Sequence, residues 1–427
     1  MRVSVVGGGV IGLGVAYELA RSGAEVTVLE RARFGGGASL GNAGWVTPAL
    51  SAAPVPAPGV TAQVLRWMFR SDSPFLLRPR TDRAFLGWLW SFQRACRAPQ
   101  YAAGMHALVE HNRGAIESLV SWRRQGIDFE LHRGGLLFAA LSEAALEEER
   151  ELYVRLQAAG FPVEFELLDA NAVREREPAV SDRVIGGMLS RREWHLRPES
   201  LTAGLAAALR RAGAELLDGV VVEDLARENG GWRLSTSTGS RQAERVVLAT
   251  GAWGPALLGS LGYRLPLEAA KGYSITAAGE GVRPQHAVYL LEAKVGCSPY
   301  VDAVRLAGTL ELAGLDLSLN RPRLRAIERA AEAYLRWRPV DPRLEWAGLR
   351  PLAPDGLPVV GAVPGQPGLF ISTGHGMAGV TLAAASASLL APLVLGGPEP
   401  PELRPLSPAR FGRGRRSLAA SASKHQL

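Results

Sequence analysis

Three successive patterns of hydrophobic and polar residues in the first thirty positions predict a strand, a helix and a second strand. Arg2 to Val6 is a short β-branched run, and Val10 to Ser22 carries its apolar residues at helical spacing. After a turn at Gly23 and Ala24, residues Glu25 to Glu30 form a second strand that ends in a carboxylate. This order predicts a βαβ unit that belongs to an α/β domain.

The pattern then changes and predicts a separate α+β region. Residues 60 to 126 place aromatic and aliphatic side chains on single helical faces, which predicts helices. Short strands are predicted from Ile127 to Glu130 and from Gly134 to Leu141. A helix from Ser142 to Ala159 begins at a capping serine, and another short helix is predicted to begin at Leu167. The regular strand and helix alternation of a doubly wound sheet is missing here.

The first pattern returns later, interrupted by a second strand-rich stretch. The pattern again predicts elements of an α/β domain, namely a helix from Pro198 to Arg211 and a buried strand from Arg245 to Leu248. Strands between Leu265 and Arg338 follow, with a helix from Arg321 to Arg336 predicted to lie over their sheet. The strand Leu369 to Ser372 then leads into a long apolar helix, which glycine and proline interrupt. We therefore expect a buried helix and not a membrane span.

A glycine-rich turn joins the first strand to the first helix. Gly7 to Gly12 has the pattern G-x-G-x-x-G, in the strand–turn–helix context that this motif requires. Gly7 permits the tight turn, Gly9 lets backbone approach a pyrophosphate, and Gly12 lets helix and strand pack closely. Glu30 would accept hydrogen bonds from ribose hydroxyls and repel a 2′-phosphate, which favours FAD or NAD over NADP. The alternative is a glycine-rich turn that binds no ligand.

Three further segments are candidates for contact with the same cofactor. Residues 33 to 59 are rich in glycine and proline, and the alternative is a mobile surface loop. Residues 249 to 253 follow a buried strand, at the sheet edge where cofactors bind. A helix that starts at Gly376 to Gly379 could direct its N–H groups at the pyrimidine edge of a flavin. Segments so far apart in the chain suit FAD better than NAD, because FAD is long and embedded.

The candidate cofactor-binding residues lie in these four segments and beside them, except Val222, which ends a predicted strand region at 213–222. They are Gly7, Gly9, Val10, Ile11, Gly12, Glu30, Arg31, Ser39, Asn42, Ala43, Gly44, Val222, Thr250, Gly251, Trp253, Gly374, Gly376, Met377, Ala378 and Gly379.

Composition and charge exclude several other classes of protein. The 427 residues suggest two domains, and the formal net charge is +7. Six basic residues and no acid follow Glu402, so the rest of the chain is nearly neutral. This argues against nucleic-acid binding by the rest of the chain. At most, the basic tail could bind anionic surfaces electrostatically. Two distant cysteines suggest no disulfide framework and no metal site, and they fit a cytoplasmic protein without a signal peptide.

Five motifs in this order resemble one family. They are Gly7-x-Gly9-x-x-Gly12, the stretches 39–44 and 271–274, the G-L-R-P motif inside 346–351, and Thr373-Gly374-His375-Gly376. Together they resemble the FAD-dependent D-amino-acid oxidase/dehydrogenase superfamily, and within it the bacterial D-amino-acid dehydrogenase small-subunit group. The resemblance extends from Met1 to about Phe411.

The resemblance implies a fold and a division into domains. We expect a Rossmann-like, glutathione-reductase-type FAD-binding domain and an α+β substrate domain with a mainly antiparallel sheet. The predicted FAD-binding domain is discontinuous and comprises 1–48, 186–263 and 346–411. The predicted substrate domain comprises 49–185 and 264–345, and 412–427 is a basic flexible tail.

The resemblance also implies an activity: hydride passes from Cα of a D-amino acid or related small amine to flavin N5, giving a 2-oxo acid and ammonia. By position, Arg350 binds the substrate carboxylate, Tyr273 is a second contact to it, and His375 contacts the flavin or acts as a base. No cysteine lies in the turn from Thr373 to Gly379, so the FAD is expected to be non-covalent. The electron acceptor is a quinone, a dye or O2, and peripheral contact with the inner face of the membrane is one expectation.

Three alternatives stay open from the sequence. The enzyme could be an oxidase or dehydrogenase of glycine, sarcosine or hydroxyproline, because these enzymes share many of the motifs. The chain could be a flavoprotein subunit in which FAD is structural, although such a protein needs no arginine for a carboxylate. An NAD-dependent dehydrogenase is the least favoured alternative.

Overall fold

The structure is a computed structural model that describes residues 1–68 and 73–412. The predicted basic tail, apart from Gly412, lies outside the described residues. The helices are α1 (Val10–Arg21), α2 (Pro48–Ser51), α3 (Val60–Met68), α4 (Arg83–Ala95), α5 (Ala98–Asn112), α6 (Ala115–Arg124), α7 (Glu143–Ala158), α8 (Ala170–Arg176), α9 (Pro198–Arg211), α10 (Gly254–Ser260), α11 (Arg321–Tyr334) and α12 (Gly379–Val394).

Twenty-one strands are defined in the same part of the chain. They are β1 (Arg2–Val6), β2 (Glu25–Leu29), β3 (Trp45–Val46), β4 (Phe75–Leu77), β5 (Leu131–His132), β6 (Leu136–Ala140), β7 (Phe165–Asp169), β8 (Gly186–Ser190), β9 (Trp194–Leu196), β10 (Glu215–Leu217), β11 (Val222–Glu228), β12 (Gly231–Thr236), β13 (Gly239–Ala243), β14 (Arg245–Leu248), β15 (Glu268–Gly281), β16 (Ala287–Leu290), β17 (Val295–Pro299), β18 (Val304–Leu312), β19 (Trp337–Leu352), β20 (Val359–Ala362) and β21 (Leu369–Thr373).

A six-stranded sheet unites the start, the middle and the end of the described chain. Its order is β10-β2-β1-β14-β21-β20, and every neighbouring pair is parallel except β20 with β21. The central strands are buried on both faces and are therefore almost continuously apolar. Helices α1, α9 and α12 pack on one face, and the small sheet β11-β12-β13 covers the other. The predicted βαβ unit is confirmed.

A second, largely antiparallel sheet has the order β19-β15-β18-β17-β16-β6-β8-β7, with β4 paired to β18. One face packs against α11, where Leu324 and Ile327 join Ile275 in an apolar cluster. The opposite face turns toward the first sheet. A parallel sheet and a mainly antiparallel sheet in one chain confirm the predicted fold class, whereas the domain boundaries stay a prediction.

A β-bulge interrupts the pairing of β15 with β18. Tyr273 pairs with Gly308 and Lys271 pairs with Glu311, so two residues of β18 stand opposite Gly272. The first of them, Thr309, has φ of 63°, which is unusual for a β-branched residue. Bulges of this kind redirect backbone groups and side chains beside functional sites.

Several predicted elements differ from the structure. Residues 127 to 130 form no strand, and the pairing begins only at β5. The helix predicted to begin at Leu167 begins instead at Ala170, because Asp169 caps it through the N–H groups of Asn171 and Ala172. The predicted serine cap of α7 is confirmed, since the Ser142 hydroxyl accepts from Ala145 N. In the described residues no helix combines the length and apolarity that a membrane span requires.

Candidate functional site

A cavity of about 1390 Å³ lies where the carboxyl ends of β1, β2, β14 and β21 approach the second sheet. Parallel sheets bind their ligands at this edge. The volume exceeds the roughly 300–1,000 Å³ of most small-molecule sites, so a long cofactor and a substrate can both be accommodated. Of the predicted residues, those that line it are Gly7, Gly9, Val10, Ile11, Glu30, Arg31, Ser39, Asn42, Ala43, Val222, Thr250, Gly251, Trp253, Arg350, His375, Gly376, Met377, Ala378 and Gly379.

The glycine turn has the geometry that its spacing predicts. Gly7 has φ of 110°, and a Cβ on Gly12 would lie 1.8 Å from Gly7 O, so Gly12 is required for close packing. Around Gly9 the nearest atom to an added Cβ is Ser39 Oγ at 3.4 Å. Space therefore remains open in front of Gly9, as the approach of a pyrophosphate requires. Ser39 Oγ accepts from Val10 N at 3.0 Å and fixes the start of α1.

Glu30 closes the next part of the cavity. Its carboxylate accepts from Gly8 N at 2.7 Å and from Ala32 N at 2.9 Å, which fixes its position at the end of β2. Arg31 lies with its guanidinium carbon 4.8 Å from the centre of the Trp253 ring. These contacts form a wall with one acidic group and one flat cationic face.

Three of the predicted cofactor-binding residues, Gly12, Gly44 and Gly374, do not line the cavity. A Cβ on Gly44 would lie 1.9 Å from Leu196 O, and one on Gly374 would lie 3.0 Å from a Val359 methyl group. Both have positive φ, 76° and 73°, so each shapes the chain behind the wall.

Sequence reasoning missed Arg305, which holds the 40–44 segment in place. Its side chain is 1% exposed, and Nη1 donates to the carbonyls of Leu40 and Asn42 at 3.1 and 2.9 Å. Glu199 balances the charge. A lone arginine in a strand carries no motif signal, so only the folded chain identifies it.

Arg350 reaches into the cavity from β19. Its guanidinium crosses Gly272, where an added Cβ would lie 2.2 to 2.6 Å from the guanidinium atoms. Nη1 donates to the carbonyl of the bulge residue Thr309 at 2.8 Å. Burial lowers the arginine pKa to about 10, so the group remains cationic at neutral pH. Among the described residues no carboxylate pairs with it, which leaves this charge for an anionic ligand.

Tyr273 does not lie at the cavity, and the predicted substrate contact is wrong. Side chains alternate along a strand, and Tyr273 falls on the face of β15 that packs against α11. Its hydroxyl donates to Glu311 at 2.7 Å, and Lys271, Arg78 and Asp316 complete that charged cluster behind the sheet. Burial and the carboxylate of Glu311 raise the pKa of Tyr273 well above its usual value.

A different tyrosine and several charged side chains stand at the cavity. The cavity lining also includes Tyr289, Lys294, Glu148 and Glu149. Tyr289 packs edge-on against Trp45, and Lys294 Nζ lies 5.8 Å from the centre of the Tyr289 ring. Burial raises the pKa of Glu149 to about 7. Glycines inside β15, β17 and β19 gave a sequence signal for this region, because Gly272, Gly296 and Gly348 leave room for the side chains of Arg350, Trp45 and Trp346 to lie over the sheet.

His375 lines the cavity in the turn before α12, and α12 begins at Gly379. Its Nε2 lies 3.0 Å from Ser386 Oγ, and its Nδ1 is buried without a partner in the described residues. Burial, reinforced by His111, lowers the pKa of His375 to about 3. The imidazole is therefore neutral and is a poor proton acceptor at neutral pH.

Several residues of the cavity wall hold buried polar atoms that have no hydrogen-bond partner in the described residues. In the described residues, Thr250 Oγ1, Thr309 Oγ1, Ser372 Oγ, His375 Nδ1 and Glu149 Oε1 have no hydrogen-bond partner, and all five residues line it. Buried groups of this kind usually have partners in a native protein. The open space at Gly9 and the carboxylate of Glu30, both at the cavity, fit a long dinucleotide cofactor.

Comparison with known proteins agrees with this geometry. The model of the FAD dependent oxidoreductase (DAO) family matches residues 2–393. The D-amino acid dehydrogenase of Rhizobium rhizogenes is 33% identical over 422 residues, which cover 96% of this chain and 100% of that protein. The D-amino acid dehydrogenase of Cereibacter sphaeroides is 36% identical over 407 residues, covering 93% of this chain and 92% of that protein.

Among solved structures, glycine oxidase from Geobacillus kaustophilus superposes with a TM-score of 0.71 at 26% identity. The superposition covers 96% of this chain and 99% of that chain. These matches confirm the resemblance predicted from the five motifs. Because the family model spans nearly all of the described residues, this chain belongs to the family of FAD-dependent oxidoreductases.

Proposed function

We propose that this protein is a D-amino acid dehydrogenase that holds FAD without a covalent bond. The observation that carries the proposal is Arg350, a cationic guanidinium in the cavity that has no carboxylate partner among the described residues. Names of the full-length relatives support the substrate class, because they are D-amino acid dehydrogenases. The same activity requires a carboxylate clamp, which a structural flavin would not need.

Arg350 would position the substrate. Thr309 O fixes Nη1, so the remaining guanidinium N–H groups can grip a carboxylate at two points. A two-point grip determines which hydrogen on Cα faces the cofactor, and such positioning supplies much of an enzyme's rate. Bound FAD supplies the hydride acceptor at its N5 atom. Water then hydrolyses the imine of the substrate to a 2-oxo acid and ammonia.

The chain's own residues would bind FAD along the cavity. Gly9 and the start of α1 would receive the diphosphate, and Glu30 the ribose hydroxyls. Cys96 and Cys297 are both buried and neither lines the cavity, which supports non-covalent binding. Thr250 and Ser372 line the same cavity.

The size of the cavity favours substrates larger than glycine. Its lining includes Tyr289, Lys294 and Glu149 as well as Arg350, so we expect room for a side chain on a substrate that Arg350 holds. An oxidase of glycine or sarcosine is the second candidate function, and the solved glycine oxidase supports it through its fold and its 26% identity. The two proposals differ in the substrate that reduces the flavin.

An anaerobic titration of the purified yellow protein tests both proposals. D-alanine, D-phenylalanine, their L enantiomers, glycine and sarcosine are added separately, and the loss of flavin absorbance is recorded. We expect D-amino acids with side chains to bleach the flavin fastest. Bleaching by sarcosine or glycine alone would favour the second candidate, and FAD that stays with acid-precipitated protein would refute non-covalent binding. Adding a quinone, a dye or O2 to the bleached protein identifies the electron acceptor.

A further inference from the structure

Behind the cavity wall, one serine joins two buried histidines. Ser386 Oγ lies 3.0 Å from His375 Nε2 and 3.0 Å from His111 Nε2. The three residues come from α12, the turn before it, and α5. Their exposures are 0% for Ser386, 5% for His375 and 2% for His111. Of these three residues, only His375 lines the cavity. Ser386 contacts His375 from the side away from the cavity, and His111 contacts Ser386.

The chemistry of a hydroxyl restricts this cluster. A serine hydroxyl has one hydrogen to donate, and its oxygen accepts from other donors. Among the described residues Ser386 Oγ has no third partner, so its hydrogen goes to one of the histidines. The other histidine must then donate from Nε2, because two facing lone pairs form no bond. If both rings donated, the buried hydroxyl hydrogen would have no acceptor, which costs free energy.

We infer that His111 and His375 carry opposite tautomers, coupled through Ser386, and that His111 and Ser386 position the proton of His375 at the cavity wall. In one arrangement His111 Nε2–H donates to Ser386, whose O–H donates to His375 Nε2, which places the His375 proton on Nδ1. The reversed chain places a lone pair there. Nδ1 is the ring nitrogen that Ser386 does not contact, and it is buried without a partner in the described residues.

Both rings must be neutral for this coupling, and burial keeps them so. Burial lowers the pKa of His111 to about 4 and that of His375 to about 3. No acidic side chain contributes to either shift. An imidazolium in this cluster would donate from both nitrogens and remove the choice between the two arrangements.

The proposed function favours the first arrangement, in which His375 carries its proton on Nδ1. The choice between the two arrangements therefore rests on the proposed function. Negative charge develops on a flavin as it accepts hydride, and an N–H donor stabilises such charge better than a lone pair does. We therefore expect the His375 proton on Nδ1 and the His111 proton on Nε2 in the protein with bound FAD. Ser386 and His111 are positioning residues in this scheme, since neither lines the cavity.

Nitrogen NMR of the ¹⁵N-histidine-labelled holoprotein, oxidised and without substrate, tests the inference. His111→Asn and His375→Asn assign the two rings by loss of their signals. We expect one ring protonated on Nε2 and the other on Nδ1, with both neutral from pH 5 to 8. The same tautomer on both rings, or a charged ring at pH 6, would overturn the inference.

Two serine variants provide the functional readout. Ser386→Ala should lose the tautomer pairing and make the reduction potential of the bound FAD more negative. Ser388→Ala is the matched control, because Ser388 lies on the same helix and bonds only its own backbone at Ala385 O. Its tautomers and potential should equal those of the parent. An unchanged potential in Ser386→Ala would show that the cluster does not act on the cofactor.

A third variant covers failure of Ser386→Ala to fold. His111→Gln keeps a hydrogen-bonding group beside Ser386 and should hold the reduction potential close to that of the parent, whereas His111→Leu should make it more negative. Equal potentials in these two variants would refute the coupling. The outcome also separates this inference from the proposed function. Opposite tautomers in a protein that oxidises no D-amino acid would refute the function alone, and equal tautomers in an active enzyme would refute the coupling alone.

Discussion

Replacing Arg350 by alanine tests the substrate class and the residue together. The guanidinium stands over Gly272 and is held by Thr309 O, so its removal leaves no cation at that point of the cavity. One charge-assisted hydrogen bond contributes roughly 1.5–3 kcal/mol. A tenfold change in rate corresponds to roughly 1.36 kcal/mol, so one bond is worth about 10- to 150-fold. With two bonds to the carboxylate, kcat/KM for D-amino acids should fall by on the order of a hundredfold or more.

The assay measures the steady-state oxidation of D-amino acids with a dye as electron acceptor. The flavin content of each variant is measured in parallel. Arg350→Lys should recover only part of the activity, because an ammonium cannot reproduce the two-point grip. Arg323→Ala is a matched control. Arg323 is also a buried arginine that donates to a backbone carbonyl, Ser73 O at 2.5 Å, but it lies on α11 behind the sheet. It should lower stability without a selective loss of activity on carboxylate substrates.

Amines without a carboxylate give the decisive comparison. The parent should oxidise them with a low kcat/KM, and Arg350→Ala should hardly change that value. Equal losses on amines with and without a carboxylate would show that Arg350 acts through the structure of the cavity. The D-amino acid proposal would then lose its main support.

Three other changes give separate tests. Gly9→Val should fold, since Ser39 Oγ is the nearest obstacle, but should lose FAD because the side chain fills the open space; full flavin content would refute the assignment. Tyr273→Phe should leave KM for D-amino acids within about twofold while Tm falls, because the lost hydroxyl bonds Glu311 behind the sheet. Burial raises the pKa of Glu193 to about 8, so its uncharged form contributes stability at low pH that is lost as pH rises through 8. Between pH 5 and pH 9 the Tm of Glu193→Gln should therefore fall less than the Tm of the parent. The same dependence of Tm on pH in both proteins would contradict the burial argument.

Local features were predictable from the sequence. Gly7, Gly9 and Gly12 show their roles through spacing alone, because strand, turn and helix lie within thirty residues. Arg350 was found through a motif, and the structure places it in the cavity. The glycine two residues before it, Gly348, lies on the same strand face and leaves room there for the ring of Trp346.

Relations between distant segments were not predictable. Tyr273 was assigned to the cavity by its position in a motif. Alternation along β15 shows two faces but not which of them α11 covers. His111 meets Ser386 across 275 positions of sequence, and Arg305 meets Leu40 across 265. A lone histidine in a helix or a lone arginine in a strand gives no signal of such contacts. The bulge at Thr309 was not predicted for the same reason, because it depends on the register of two strands that are distant in sequence.

The strand order of the first sheet has a consequence for synthesis of the protein. β1 occupies a central place between β2 and β14, and β14 pairs in turn with β21. A ribosome adds roughly 5–20 residues per second, so β21 follows β1 by roughly 20 to 70 s. During that interval an apolar strand and the glycine turn have no complete sheet to join. We therefore expect nascent chains to depend on chaperones, and fragments that end before Thr373 to aggregate and not to capture cofactor.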